Sequence, residues 1–340
     1  MLNKKVTIVD IAKEAGVSAS MVSRVASGKG VVSEKNRVRI TELLEKYNYS
    51  PNAFARGLQK SKTGLIGFVI PHIGNEYFSS VYYEFEKLAS EHGYMTIVYN
   101  GKTDMGVESR VMSVLEQIRV EAAVIMGGRM DAIELEESEI EEVRKFGNAI
   151  PTILCTEQAE RFGCIGVHSN DKKACELIGN YLKEKGYRTV GILGGASSRV
   201  PTVNKIDYLK EEFRKAGLEI RPEWDIRNSY NEFDGAEAMR ELLKQKELPE
   251  IIIGINDHVA FGAQMEAQAA GLRVPEDISF LGFDGVTVSR IAHPAISTIQ
   301  IDYRKYGETI FEAIRAKTEG KEFPALSLID PHLEIRGSSR

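Results

Sequence analysis

Between residues 16 and 33 the chain reads GVSASMVSRVASGKGVVS, with five serines, three glycines and one arginine, Arg24. The hydroxyls of Ser18, Ser20, Ser23 and Ser27 and the guanidinium of Arg24 are hydrogen-bonding groups, yet Met21, Val22 and Val25 recur among them at helical spacing. A helix meant only for packing favours Leu, Ala, Glu and Lys, which lose least on becoming helical. Short polar side chains instead let a helix sit deep against a partner. Their chemistry there is hydrogen bonding to base edges and phosphates, with Arg24 suited to a guanine edge or to a phosphate.

A second set of such residues follows short apolar runs. PHIGNEYF places His72, Asn75, Tyr77 and Phe78 directly after LIGFVI (65–70), and GGR places Arg129 after AAVIM (122–126). Arg199 and Lys205 follow GILGG, IGINDH carries Asn256 and Asp257, and LGFDG carries Asp284. Aromatic rings beside amide and imidazole groups can stack on a flat or pyranose ring and bond its hydroxyls. Asn and Asp after strands are also ordinary loop and cap residues. Their recurrence at the same end of successive strands is what favours a ligand site.

The first set needs a helical scaffold. TIVD at 7–10 is a capping-box arrangement that starts a helix with Ile8, Ile11, Ala12 and Ala15 as its apolar stripe, ended by Gly16. Ser18 is placed to cap a second helix running to about Ser27, and Ser33 a third in which Val38, Leu43, Leu44 and Tyr47 turn inward. Two short helices joined by a Gly-containing turn and braced by a third are helix-turn-helix geometry. The second helix of that motif lies in the major groove with its N-terminal residues at base edges. Ala19, Ser20, Ser23 and Arg24 then face DNA, while Val22 and Val25 face the core. In YNYSPNAFARGLQKSKTG (47–64), Ser50-Pro51 opens a helix of about two turns, too short to be stable alone in water. Leu58, an apolar residue among Arg56, Lys60 and Lys62, suits a wedge inserted into a minor groove.

Charge supports this division. Residues 1–62 hold twelve Lys/Arg against five Asp/Glu, net +7, whereas the other 32 basic and 44 acidic residues leave −12 on the rest. A basic head on an acidic body is the asymmetry of a nucleic-acid-binding module fused to something else. At 340 residues, 43% hydrophobic and 27% charged, the chain suits two or three globular domains. Its apolar runs are strand-sized, so no membrane span is expected, and MLNKKVTIVD has no secretory signal pattern. Three cysteines without a C-x-x-C pair argue against a disulfide frame or structural zinc, and a cytoplasmic location follows. No triad motif, H-E-x-x-H or paired acidic motif is present, GILGGASS lacks phosphate-loop spacing, and the six histidines are scattered. Neither cofactor, metal nor catalysis is expected.

From Leu65 onward short apolar segments alternate with helical ones. MTIVY (95–99), PTILC (151–155), TVGILG (189–194), EIIIGI (250–255) and ISFLGF (278–283) join the two runs above. Such alternation indicates parallel sheets covered on both faces, here in two series and hence two α/β lobes. TIQIDY (298–303) and the closing SLIDPHLEIRGSSR suggest that the chain crosses between lobes more than once.

VTIVDIAKEAGVSASMVSRVASGKGVVSEKNRVRI followed by YNYSPNAFARGL resembles the DNA-binding head of the lactose-repressor/galactose-repressor family of bacterial transcription regulators. GINDHVAFGAQMEAQAAGLRVPEDISFLGFD is similar to its effector domain. The resemblance implies a small all-α helix-turn-helix head (1–49), a hinge helix and linker (50–63), and a two-lobed periplasmic-binding-protein-like α/β body with parallel sheets (64–340). It places Thr7, Ser18, Ala19, Ser20, Met21, Ser23, Arg24 and Ser27 at the DNA, with Asn52, Ala55 and Leu58 on the hinge helix. It also places Tyr230 in the effector cleft with His72, Asn75, Tyr77, Phe78, Arg129, Arg199, Lys205, Asn256, Asp257 and Asp284. The chain departs from common family choices at Met21, at Ala26-Ser27, at His72, at Lys205 and around Ser169. A cleft with fewer carboxylates and with His72, Arg129, Arg199 and Lys205 is expected to suit an anionic or phosphorylated ligand.

The expectation is a sequence-specific DNA-binding regulator, a repressor of a carbohydrate-utilisation operon. Its partners are double-stranded operator DNA and a sugar or sugar-derived effector that alters lobe closure and hinge order. No leucine-heptad tail follows, so a homodimer is expected rather than a tetramer. The alternatives are a regulator answering a purine or other metabolite, a cytosolic solute-binding protein, and an α/β enzyme.

Overall fold

A computed structural model describes residues 6–26, 32–49, 63–101, 105–228 and 230–340. The chain divides into two compact units, residues 1–64 and 65–340.

In the first unit α1 (Ile8–Ala15), α2 (Ala19–Ala26) and α3 (Glu34–Lys46) bury Ile11, Ala12, Ala15, Val22 and Ile40 between them. The capping box at Thr7 forms: its hydroxyl accepts from the Asp10 amide at 3.3 Å and its own amide donates to Asp10 Oδ2 at 2.9 Å. Gly16 ends α1 at φ 67°, a left-handed conformation that costs glycine no steric strain. Ser18 Oγ accepts from the Met21 amide at 3.3 Å, whereas Ser33 precedes α3 without a side-chain cap bond. Val38 does not turn inward; it is 49% exposed. At 100° per residue it stands about 200° from Ile40, the fully buried position of α3, whereas Leu43, Leu44 and Tyr47 do pack on the core. Glu14 ties α1 to α3, accepting from Lys46 Nζ at 2.8 Å and Tyr47 Oη at 2.6 Å.

The second unit holds two six-stranded sheets. The first lobe contains β1 (Leu65–Ile70), β2 (Met95–Asn100), β3 (Ala122–Met126), β4 (Thr152–Cys155), β5 (Ile165–Ser169) and β11 (Leu326–Ile329), ordered β11-β5-β4-β3-β1-β2 and parallel throughout. The second contains β6 (Val190–Leu193), β7 (Asp225–Ile226), β8 (Ile251–Gly254), β9 (Ser279–Asp284), β10 (Ser297–Gln300) and β12 (His332–Glu334), ordered β12-β10-β9-β8-β6-β7. Only the β10–β12 pairing is antiparallel. Central strands such as LIGFVI are buried at every residue because helices cover both faces.

The helices are α4 (Glu76–Glu91), α5 (Met105–Gln117), α6 (Glu137–Ala149), α7 (Asp171–Glu184), α8 (Val200–Ala216), α9 (Glu232–Leu242), α10 (Asp257–Ala269), α11 (Thr287–Ile291) and α12 (Tyr303–Glu319). The chain passes between lobes at Asn170, at Ile301–Asp302 and at Asp330–Pro331, so three segments link them. The short strands β5 and β7 are absent from the sequence-based strand assignment. Two to five residues long, they lack the unbroken apolar run that marks β1 or β8.

Since most strands feed a helix at their carboxyl ends, the edge between the lobes is lined with helix N-termini. Asn75, Asn170, Asn231, Asn256 and Asp302 cap α4, α7, α9, α10 and α12 through their side chains. Helices α9 and α10 meet backbone to backbone: a Cβ at Gly262 would run into Glu232, and one at Gly235 into Val259. That contact fixes the start of α9, and with it Tyr230 and Glu232, beside the cleft.

Candidate functional site

On α2, Ser20 and Arg24 are exposed and Ser23 is half-buried. Ala19 and Met21 instead pack on the head core, and the Met21 sulfur accepts from Asn36 Nδ2 at 3.5 Å. Met21, expected at the DNA, is thus turned toward α3, because its place on α2 shares the core-facing side with Val22 and Val25. Thr7 and Ser18 are exposed at the starts of α1 and α2, with their hydroxyls engaged as caps. Ser27, Asn52, Ala55 and Leu58 lie outside the described residues.

In the body a cavity of about 600 Å³ opens between the lobes, at the carboxyl ends of the strands. His72, Asn75, Tyr77 and Phe78 reach it from the first lobe, and Arg199, Lys205, Tyr230, Asn256 and Asp284 from the second. Tyr77 stands edge-on to Phe78 and Tyr303, with centroids 5.2 and 6.1 Å apart, forming an aromatic wall. His72 is exposed at the rim.

Most of these polar groups already have protein partners. Asn75 Oδ1 accepts from the Tyr77 amide at 2.9 Å. Asn256 Oδ1 accepts from the Val259 amide at 2.9 Å while its Nδ2 donates to the Tyr230 carbonyl at 2.8 Å. Tyr230 Oη and Thr202 Oγ1 lie 2.7 Å apart. Arg199 Nη1 donates across the cleft to the Gly128 carbonyl at 2.8 Å, and Tyr303 Oη of the first lobe donates to the Asp284 carbonyl of the second at 2.9 Å. The Thr287 amide makes a further tie between the lobes, donating to Glu76 Oε2 at 2.8 Å. Lys205 Nζ sits 3.8 Å from Asp171 Oδ2 and 4.4 Å above the Phe283 ring. Burial works against its ammonium, but Asp171 and Asp284 outweigh that and hold its pKa above the usual value.

Two expected cleft residues are elsewhere. Arg129 is 2% exposed and points away from the cavity, with Nε 3.0 Å from Glu108 Oε2 and Nη2 2.6 Å from Ser109 Oγ. It also meets Glu142. Burial pushes the Glu108 carboxyl up even with Arg129 beside it. Residues 128–131 form a 3-10 turn, in which positions two apart point about 120° apart, so Asp131 enters the cleft in place of Arg129. Asp257 is fully buried: Oδ2 accepts from the Val286 amide at 2.8 Å and Oδ1 from Thr298 Oγ1 at 2.5 Å. Its neighbours Asn256 and His258 line the cavity.

The cleft also contains residues that the motif positions did not single out: Asp131, His168, Asp171, Thr202, Glu232 and His258. Their common signal was available, since each lies within a few residues of a strand's carboxyl end or a helix start. Burial raises Asp131 and Asp284 to about 6, opposed by His168 and Arg199 at the first and by Lys205 at the second. Asp284 has φ 97°, a conformation rare outside glycine, which aims its carboxylate from the end of β9. Four carboxylates (Asp131, Asp171, Glu232, Asp284) face two lasting cations (Arg199, Lys205) across this space. The expected cation-rich cleft is therefore corrected to an acceptor-rich one.

Residues 63–335 match the family described as periplasmic binding proteins and sugar binding domain of LacI family, and residues 7–52 match bacterial regulatory proteins, lacI family. The chain belongs to the lacI family. It is 28% identical over 338 residues to catabolite control protein A of Staphylococcus epidermidis, covering 98% of this chain and 99% of that one. Against the HTH-type transcriptional repressor PurR of Yersinia enterocolitica it is 29% identical over 333 residues, covering 98% and 96%. Its fold is that of a lac repressor dimer bound to operator and the anti-inducer ONPF, with TM-score 0.86, 22% identity and 99% of each chain covered. A transcriptional regulator CelR–cellobiose complex has TM-score 0.71 at 20% identity, covering 98% of this chain and all of the other. As a lacI-family member the chain is a DNA-binding transcription regulator with a helix-turn-helix head and a two-lobed α/β body. No helix among the described residues is long and apolar enough to cross a membrane.

Proposed function

We propose that the chain is a cytoplasmic, homodimeric repressor of a carbohydrate-utilisation operon, without catalytic activity, whose effector is a neutral or cationic carbohydrate held between the lobes. The observation that carries this reading is the cleft itself. An aromatic wall of Tyr77 and Phe78 stands in a cavity whose polar groups are mainly carboxylates, amides and hydroxyls. Such groups suit a ring with hydroxyls and disfavour a phosphate. The effector contacts are assigned to His72, Asn75, Tyr77, Phe78, Arg199, Lys205, Tyr230, Asn256 and Asp284, with Asp131, His168 and Asp171 added.

In the head, Ser20, Ser23 and Arg24 read base edges while Thr7 and Ser18 position the helices on phosphates. A two-fold dimer sets its recognition helices in successive major grooves of a near-palindromic operator. The hinge segment 50–63, with Asn52, Ala55 and Leu58, couples body to head. The effector shifts DNA affinity only by as much as its affinities for two lobe arrangements differ.

Thermal unfolding against neutral sugars, amino sugars, sugar phosphates and purines tests the effector class. A ligand at a hundred times its dissociation constant stabilises the folded state by about 2.7 kcal/mol. Stabilisation by a neutral or amino sugar, with a matching change in operator affinity, is the expected result. A response confined to purines or to sugar phosphates overturns the carbohydrate reading or its charge.

A further inference from the structure

The Asp131 carboxyl in the cleft wall of the first lobe has the Thr156 side chain as a hydrogen-bonding neighbour, but one of its two oxygens is left without a donor. Asp131 Oδ1 is buried without a hydrogen-bond partner among the described residues. The nearby His168 ring is tied by Nδ1 to the Ser169 carbonyl at 2.9 Å. A carbonyl only accepts, so Nδ1 carries the proton and is taken up by Ser169 rather than offered to Asp131. Ser169 Oγ donates to Asp171 Oδ1 at 2.9 Å, so that hydroxyl is occupied as well. Of the two cations, Arg199 already donates to the Gly128 carbonyl and Lys205 is shared between Asp171 and the Phe283 face. A buried acceptor left unmade is unfavourable, and a partner that supplies the missing donor is selected strongly over one that lacks it.

We propose that Asp131 is a specificity-determining residue of the effector cleft, whose Oδ1 takes a hydrogen-bond donor carried by the ligand. This rests on the reading of the cleft as the effector site. The shared chemistry is a donor on a polyhydroxylated ring, supplied either by a hydroxyl or by an ammonium group. An anionic substituent there is refused, because it would meet the Asp131 carboxylate. Nothing in the head's DNA contacts depends on this group.

The test is binding by thermal shift and titration calorimetry to the full-length wild type, Asp131→Asn and Asp131→Ala. The probes are glucose, galactose, mannose, cellobiose, maltose, glucosamine, galactosamine and glucose 6-phosphate. A neutral or amino sugar is expected to bind the wild type, and Asp131→Ala to weaken it at least tenfold. Asp131→Asn keeps an acceptor without the charge. It is expected to hold a hydroxyl donor to within about threefold, and to weaken an ammonium donor as much as Ala does. Binding to Asp131→Ala within twofold of wild type overturns the role of Asp131 while leaving the cleft as the effector site. So does preferential binding of glucose 6-phosphate. If no probe binds, the carbohydrate reading of the cleft falls, and the inference with it.

Discussion

Asn170 donates from Nδ2 to Asp330 Oδ1 at 2.7 Å, joining the first and third of the three segments that pass between the lobes. The same Asn170 caps α7 by accepting from the Lys173 amide at 3.0 Å. One side chain therefore holds both a helix start and a lobe hinge. Asn170→Ala is expected to lower unfolding stability by about 1–2 kcal/mol, the usual loss for a cap. Asp330→Ala should lower it by less than about 1 kcal/mol, since that residue is exposed. Urea unfolding of both single variants and the double measures the coupling. Strict additivity would show that the hinge bond contributes nothing.

Asp257 holds α10 against β10 and the start of α11 rather than touching ligand. Asp257→Ala leaves the Val286 amide and the Thr298 hydroxyl without this acceptor in a fully buried place, so a loss of about 3 kcal/mol or more is expected. Burial keeps its pKa well above the ordinary carboxylate value, so Asp257→Asn should be far milder. Denaturant midpoints decide this, and equal losses in the two variants would contradict it.

Arg129 belongs to the same class of correction. Removing its guanidinium leaves Glu108, 4% exposed, as an uncompensated buried carboxylate, a change that costs about 3–5 kcal/mol. Glu108→Gln in the Arg129→Ala background should recover part of that loss. No recovery in chemical denaturation would mean that packing, not charge, sets the effect.

The carboxylates Asp131 and Asp284 predict a pH dependence of definite sign. Their folded pKa of about 6 lies above the ordinary value of 3.8, so between these limits the folded state binds more protons than the unfolded chain. Their contribution is thus most favourable below about pH 4, and stability falls as pH rises through 6. A shift of about two units amounts to at most roughly 3 kcal/mol per group. Asp277, held down at about 2 by hydrogen bonds from Arg273, titrates lower and with the opposite sign. Comparing wild type with Asp131→Asn or Asp284→Asn from pH 4.5 to 7.5 isolates the effect. Each variant should have a flatter profile and greater stability at pH 7.5, and parallel profiles would refute the assignment.

Arg24 is exposed on α2 at a position suited to a base edge. Arg24→Ala is expected to relax base preference at one symmetric pair of operator positions, at about 1–3 kcal/mol for the lost contact. Random-sequence selection with both proteins reads this directly. A uniform loss over all sequences would make Arg24 a phosphate contact.

Much of this was legible in the residues. TIVD with Gly16 marked the first helix because capping and the left-handed turn are local events, complete within one turn of chain. The runs LIGFVI and EIIIGI marked central strands because both faces of those strands are covered. The net +7 of residues 1–62 against −12 on the rest marked a basic head on an acidic body, because charge is read directly along the chain. Tertiary structure decided what depends on the direction of a side chain. Val38 and Ile40 lie two residues apart on α3, yet only one of them is buried. Arg129 and Asp131 share a 3-10 turn, yet only Asp131 faces the cleft. Asn256, Asp257 and His258 are consecutive, but only the middle one is turned away from the cavity. Sequence brings polar residues to the ends of strands, whereas the rotation of about 100° or more between successive helical positions and the partners across the fold determine which of them meet the ligand. The charge of the cleft is a sum over those choices, so it emerged only when both lobes were in place.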